Sequence, residues 1–157
     1  MIQNLPLTYA EGFYYFNSMI DKEKVLEICN ALGKGNLIET LDIEFIDVGE
    51  DFLSARMPVT SKVHQLEGVL HGGATVALAE TVGSAAVPVL NQDASVSVVG
   101  IEISANHLKS VRSGFVTATA KPLRMGNTIQ LMEIRVVDDE DNLISHCKLS
   151  TFSRPRK

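Results

Sequence analysis

The hydrophobic pattern of this chain changes period near its middle. Up to residue 92, apolar positions recur at helical spacing or gather in short runs; from Ser95 onward they alternate with polar ones. Asp21 is placed to cap a short helix in which Val25, Ile28, Cys29 and Leu32 recur at i, i+3, i+4 and i+7, and Gly33 and Gly35 end it. Residues 41–48 and 52–57 predict two strands joined by the turn Gly49-Glu50-Asp51, with a loop over 58–68 after them. Residues 72–87 predict the longest helix, with Pro88 as its stop. Apolar residues surround that helix instead of forming one stripe, the pattern of a buried element, and its many small residues let neighbouring backbone come close. Residues 95–107, 114–121, 127–138 and 143–153 predict four strands, with 138-DDEDN-142 as the turn between the last two.

One early helix, two strands, a long buried helix and four successive strands predict an α+β fold, an antiparallel sheet wrapped around one long central helix. Residues 21–157 are expected to form a single domain. Residues 1–20 carry an aromatic cluster (Tyr9, Phe13, Tyr14, Tyr15, Phe16) and are expected to be an N-terminal extension packed on the domain or on a neighbouring subunit. A sheet that wraps a helix on one face leaves edges and a second face to cover, so a homo-oligomer is expected.

The predicted central helix holds the candidate chemistry. From Gly72 to Gln92 the only fully charged side chain is Glu80. A solvent-facing stripe normally carries several charges; a single carboxylate among Ala, Val, Leu, Gly, Ser and Thr loses hydration and becomes a stronger base or nucleophile in a dry site. Ser84 lies one turn further along the same face. At the helix start stands 71-HGG-73, where glycines permit a tight turn and close approach of a ligand to the main chain. The free N–H groups of a helix start, with its positive dipole end, can hold a carbonyl oxygen as it gains charge. Gln65 adds a neutral side chain able to orient a carbonyl or water; His64 beside it is assigned no role.

Composition narrows the classes. The chain is 45% hydrophobic and 21% charged with no Trp, which suits a soluble domain with an aliphatic core. A net charge of −5 argues against nucleic acid as a partner. The N-terminus lacks a signal-peptide pattern, and the apolar run 69–90 carries His71, Glu80 and Pro88, so no membrane span is expected and the cytoplasm is the expected location. Cys29 and Cys147 are far apart and form no CxxC pair. Gly-x-Ser-x-Gly, HExxH, GxGxxG and the P-loop pattern are all absent, so neither a serine nucleophile, a metal nor a nucleotide cofactor is expected. One charge feature remains: residues 103–132 contain no acid, in a chain with 19 Asp and Glu, while holding His107, Lys109, Arg112, Lys121 and Arg124. Such a window suits a phosphorylated ligand, or equally the exposed sides of two strands.

Together, 64-HQLEGVLHGGATVALAETVGSAA-86, 99-VGIEISANHLKSVRSG-114 and 120-AKPLRMGNT-128 resemble the hotdog-fold acyl-CoA thioesterases, in the branch of the 1,4-dihydroxy-2-naphthoyl-CoA and Arthrobacter-type 4-hydroxybenzoyl-CoA thioesterases. The resemblance covers about residues 37–153. It implies hydrolysis of an aromatic acyl-CoA, as in menaquinone synthesis, with Glu80 as nucleophile or general base. It further implies that the Gly72 N–H polarises the carbonyl, that Gln65 and His71 orient substrate or water, and that Ser84 assists Glu80. Gly100, His107, Leu108, Lys109 and Ser110, with Arg124, Met125, Gly126, Asn127 and Thr128, match the stretches that hold coenzyme A. The family implies a dimer of dimers with the active site across the dimer interface, and no cofactor or metal. Lys109 and Arg124 depart from the arginine and histidine frequent there, and both keep positive charge. The alternatives left open are a broad-specificity medium-chain or aryl acyl-CoA thioesterase and a non-catalytic acyl-CoA-binding protein of the same fold.

Overall fold

Helix α1 (Lys22–Leu32) begins where its cap predicts, with an Asp21 carboxylate oxygen accepting from the Lys24 N–H at 3.2 Å, and buries Val25, Ile28 and Cys29. It opens a computed structural model that describes residues 21–156; the aromatic extension lies outside the described residues. A one-turn helix, α2 (Leu37–Thr40), follows, capped by Asn36. It is too short to leave an apolar period, and the turn that ends it, through Leu41 and Asp42, takes up the start of the predicted 41–48 strand. The strand therefore begins later, as β1 (Glu44–Val48), after a left-handed Asp42 at φ 53°.

After β2 (Leu53–Pro58), a short 3-10 turn leads to the central helix α3 (Gly72–Asn91). Pro88 does not stop this helix. Its fixed φ suits helical geometry, and only the bond to the Ser84 carbonyl is lost, a penalty of about 3 kcal/mol. Val87 and Val89 on either side are completely buried, and that burial offsets the penalty. The stop comes at Gln92, in the left-handed region at φ 51°. α3 is long and apolar enough to cross a bilayer by length and composition. Here it packs on β2 and on the strands β3 (Val96–His107), β4 (Phe115–Met125), β5 (Ile129–Asp138) and β6 (Leu143–Pro155).

The six strands of the described residues form one antiparallel sheet in the order β1-β2-β4-β5-β6-β3. β4 runs past the predicted residue 121 because a bulge between Pro122 and Arg124 lets the strand pass a residue with no N–H to donate. Leu53, Met57, Leu78, Met132, Ile134 and Leu149 fill the layer between sheet and helix. Cys29 and Cys147 are both free and buried, and burial pushes the Cys29 thiol up to about 12.

The two edges of the sheet differ. At β1, the Asn30 carboxamide donates to the Phe45 carbonyl at 3.0 Å and accepts from the Phe45 N–H at 2.8 Å, doing the work of a neighbouring strand. β3, twelve residues long, has β6 on one side and, among the described residues, no strand on the other, and exposes Val99 and Ile101. A long bare edge of this kind is a template for pairing.

Candidate active site

His71 caps α3 with its side chain: Nδ1 accepts from the Gly73 N–H at 2.8 Å. That bond needs an unprotonated Nδ1, so the neutral ring carries its proton on Nε2 and can donate from there. The Gly72 N–H, first in the helix, has no partner among the described residues. Against Gly72 lies the ring of His107, from the end of β3; a Cβ at residue 72 would stand 2.7 Å from His107 Nε2. A side chain at residue 72 would therefore displace the His107 ring.

Beside this helix start is a groove of about 330 Å³, lined by Gln65, Leu70, Gly72, Thr75, residues 107–110 and Ile144. The Gln65 Oε1 accepts from the Glu67 N–H at 2.7 Å, which leaves the amide Nε2 as the open end of that side chain. The 65–69 turn that carries Gln65 is held tightly. Gln65 N donates to Val69 O, Gly68 N to Gln65 O, and Arg112 Nη1 to the carbonyls of Glu67 and Gly68. A second cavity of about 500 Å³, lined by Ser61, His64, Gln65, Leu66 and His71, shares Gln65 and His71 with this corner. His64 is engaged structurally, its Nε2 lying 3.0 Å from the Arg112 carbonyl oxygen.

The stretch without acids is not an acid-free surface. Lys109 Nζ lies 3.2 Å from Asp138 Oδ2, and Lys121 Nζ lies 3.1 Å from Asp51 Oδ2. Only 14% of the Asp138 side chain is exposed, so its acidity is set by its surroundings. Burial pushes it up. Hydrogen bonds from the Asn142 backbone and side chain, the Glu140 N–H and Lys109 outweigh that and hold it at about 2. Arg124 keeps an exposed guanidinium with no ion-pair partner among the described residues.

The lone carboxylate lies elsewhere. Glu80 is half-buried in a single chain, not enclosed as its apolar neighbours suggest. Its Oε1 sits over Gly100 of β3, at the bulge between Gly100 and Glu102, where a Cβ would come within 2.5 Å of it. Ser84 is half-buried on the same face, with no hydrogen bond to Glu80.

Strand register shows how these pieces relate. Gly100 pairs with Thr151, and Thr151 with Gln130, next to the 124–128 connection; His107 pairs with Ser145 at the opposite end of the sheet. At about 3.3 Å per residue, the Gly100 and His107 ends of β3 are roughly 20 Å apart. One protomer therefore gathers Gln65, Gly72, His107, Leu108, Lys109 and Ser110 at one end. It places Glu80, Gly100 and the 124–128 connection (Arg124, Met125, Gly126, Asn127, Thr128) toward the other. Leu70, Thr75 and Ile144 also line the groove and escaped the sequence reading; Thr75, one turn after His71 on the helix, is the one whose spacing signalled it. Among the described residues, no three His, Cys, Asp or Glu side chains are grouped to hold a metal ion.

Residues 67–145 match the family model of the thioesterase superfamily. Over 134 residues the chain is 45% identical to the 1,4-dihydroxy-2-naphthoyl-CoA hydrolase of Escherichia coli K12, spanning 85% of this chain and 98% of that protein. It is 42% identical over 130 residues to a proofreading thioesterase of Cronobacter turicensis, with 83% and 94% covered. The crystal structure of a thioesterase from Haemophilus influenzae superposes with a TM-score of 0.80 at 42% identity, covering 83% of this chain and 90% of that one.

Proposed function

The chain belongs to the thioesterase superfamily, with its hotdog fold, and is a thioester hydrolase; from that premise we propose that it hydrolyses an aromatic acyl-CoA such as 1,4-dihydroxy-2-naphthoyl-CoA. The observation that carries the site assignment is the groove at the start of α3, where an open Gly72 N–H, the Gln65 amide and residues 107–110 converge. The aromatic acyl group is supported by the name of the E. coli relative.

The thioester carbonyl oxygen accepts from the Gly72 N–H, at the positive end of the α3 dipole, and gains charge there as the carbonyl carbon is attacked. Gln65 Nε2 and the Nε2–H of His71 hold the substrate or the incoming water. Glu80 acts in one of two ways. As general base it takes a proton from water while the water oxygen bonds to the carbonyl carbon; the C–S bond then breaks and the thiolate of coenzyme A leaves, to be protonated. As nucleophile it forms a mixed anhydride with loss of the thiolate, and water hydrolyses the anhydride. Ser84, one turn away, assists at the Glu80 end. Neither route calls for a metal or redox cofactor.

Glu80 cannot serve the Gly72 of its own chain, because two helical turns, about 12 Å, separate them. A second copy resolves this. Antiparallel pairing of β3 with β3 about a two-fold axis sets the Gly100 end of one protomer against the His107 end of the other. Glu80 of the partner subunit then approaches Gly72, Gln65 and His71. Pantetheine runs along His107, Leu108, Lys109 and Ser110 and past Gly100, while residues 124–128, with the unpaired Arg124, take the nucleotide. Two such dimers pair into a tetramer. Free, buried Cys29 and Cys147 suit a cytoplasmic location.

Steady-state hydrolysis over a panel of CoA thioesters tests this. The Glu80→Gln variant is expected to lose on the order of 100- to 10,000-fold in kcat while remaining folded. Turnover near that of the unaltered protein on every thioester would remove Glu80 from the mechanism, and equal kcat/KM for aryl and alkyl chains would replace the aromatic substrate with a broad range.

A further inference from the structure

Among the described residues, Gln130 is the only polar one in the set of large side chains that are essentially fully buried, at 1% exposed. A glutamine in a core needs partners for both ends of its amide. Oε1 accepts from Thr151 Oγ1 at 2.7 Å and from Ser153 Oγ at 3.1 Å. Nε2 donates to the main-chain carbonyl of Gly126 at 2.6 Å. A Met or Leu would fill the same space without these demands, so packing alone gives no reason for a glutamine here.

The consequence falls on the connection between β4 and β5. It is tied from beneath at Gly126 O by Gln130 and at Thr128 O by the Ser153 N–H, at 2.8 Å. The chain doubles back so closely that a Cβ at Gly126 would lie 2.5 Å from the Ile129 carbonyl oxygen. On its outer side Arg124, Asn127 and Thr128 are exposed. The same cross-strand row, Met125 to Gln130 to Thr151 to Gly100, ends under the Glu80 carboxylate. One buried amide thus joins the exposed connection to the strand pair next to the lone carboxylate.

We propose that Gln130 is a positioning residue for substrate binding: through Gly126 O, its buried amide holds the 126–128 connection in the conformation that receives the nucleotide end of a CoA thioester. The role rests on the assignment of residues 124–128 to the nucleotide. A connection fixed in advance loses little freedom on binding, so releasing it weakens affinity without altering the bond-breaking step.

The test compares one acyl group on coenzyme A and on N-acetylcysteamine, which lacks the nucleotide. For Gln130→Met, KM for the CoA thioester is expected to rise about 10-fold with kcat within about 2-fold, while kcat/KM for the N-acetylcysteamine thioester stays unchanged. Should Gln130→Met fail to fold, Thr151→Val loosens the amide by removing its 2.7 Å bond to Oε1 and is expected to give the same split to a smaller degree. A parallel loss on both thioesters, or no change in KM, would reduce Gln130 to a part of the core. Arg124→Ala separates the two levels. If it raises KM for the CoA thioester and the Gln130 and Thr151 variants do not, only the positioning role falls. If it too leaves KM unchanged, the nucleotide binds elsewhere and both assignments fall together.

Discussion

A carboxylate occupies the space that a side chain at residue 100 would need. With Glu80 Oε1 2.5 Å from the position of a Cβ, Gly100→Ala must push the carboxylate aside, and because that oxygen is the far end of a flexible side chain it can move without disturbing the strand. A displacement near 1 Å in a reacting group lowers turnover by on the order of 100-fold. Gly100→Ala is therefore expected to lose about that much in kcat with little change in thermal unfolding temperature; a stable variant with full turnover would show that Glu80 does not work from this seat. Glu80 itself was legible in the sequence because it is the one charge on its helix. Gly100 was not, since within an alternating strand it looks like any other weak position, and only the family resemblance marked it. His71 and Gly72 were legible as a helix start. That His107 would lie against Gly72 was not, because 35 residues separate them and only the fold closes that distance.

At the scale of elements, the alternating pattern of β3 to β6 was plain, and the errors fell where local preference met burial or brevity. Pro88 obeyed the packing around it and not its propensity, and α2 was too short to have a period. The β5–β6 hairpin was legible from 138-DDEDN-142, though its logic was not: Asp138 gathers the turn by accepting from the Glu140 and Asn142 N–H groups, and it holds Lys109 at the groove. Its folded acidity, at about 2, lies below the ordinary carboxylate value of 3.8. A lowered value means that the ionised form is favoured by folding, so the stabilisation is complete above about pH 4 and is lost as pH falls through 2. Asp138→Ala is expected to unfold at a lower temperature than the parent protein at pH 7, with the gap closing between pH 4 and pH 2. Calorimetric scans across that range check it, and a gap that stays constant at all pH values would mean that the carboxylate charge contributes nothing to the hairpin.

The whole molecule is where one chain stops being sufficient. The spacing of Gly72 and Glu80 on one helix already implied a second subunit. Which edge would bring it could not be read, because Asn30 closes β1 through a contact between a helix side chain and a strand backbone that no period reveals. With β1 closed and β3 bare among the described residues, the proposed pairing at β3 would divide each active site between two protomers, Gln65 from one and Glu80 from the other. Divided sites have a consequence that sites within one chain lack. Mixing a Glu80→Ala protomer with a Gln65→Ala protomer gives hybrid dimers in which one site carries both substitutions and the other carries neither. Each parent variant is expected to be nearly inactive alone. Co-expressed and purified by two different affinity tags, the hybrid is expected to recover about half of the unaltered protein's activity per dimer, one intact site of two. If both residues served the same chain, every site in the hybrid would keep one defect. Such a hybrid would be no more active than its parents, and the site would have to close within a single subunit despite the 12 Å, about two turns of α3, that separate its halves.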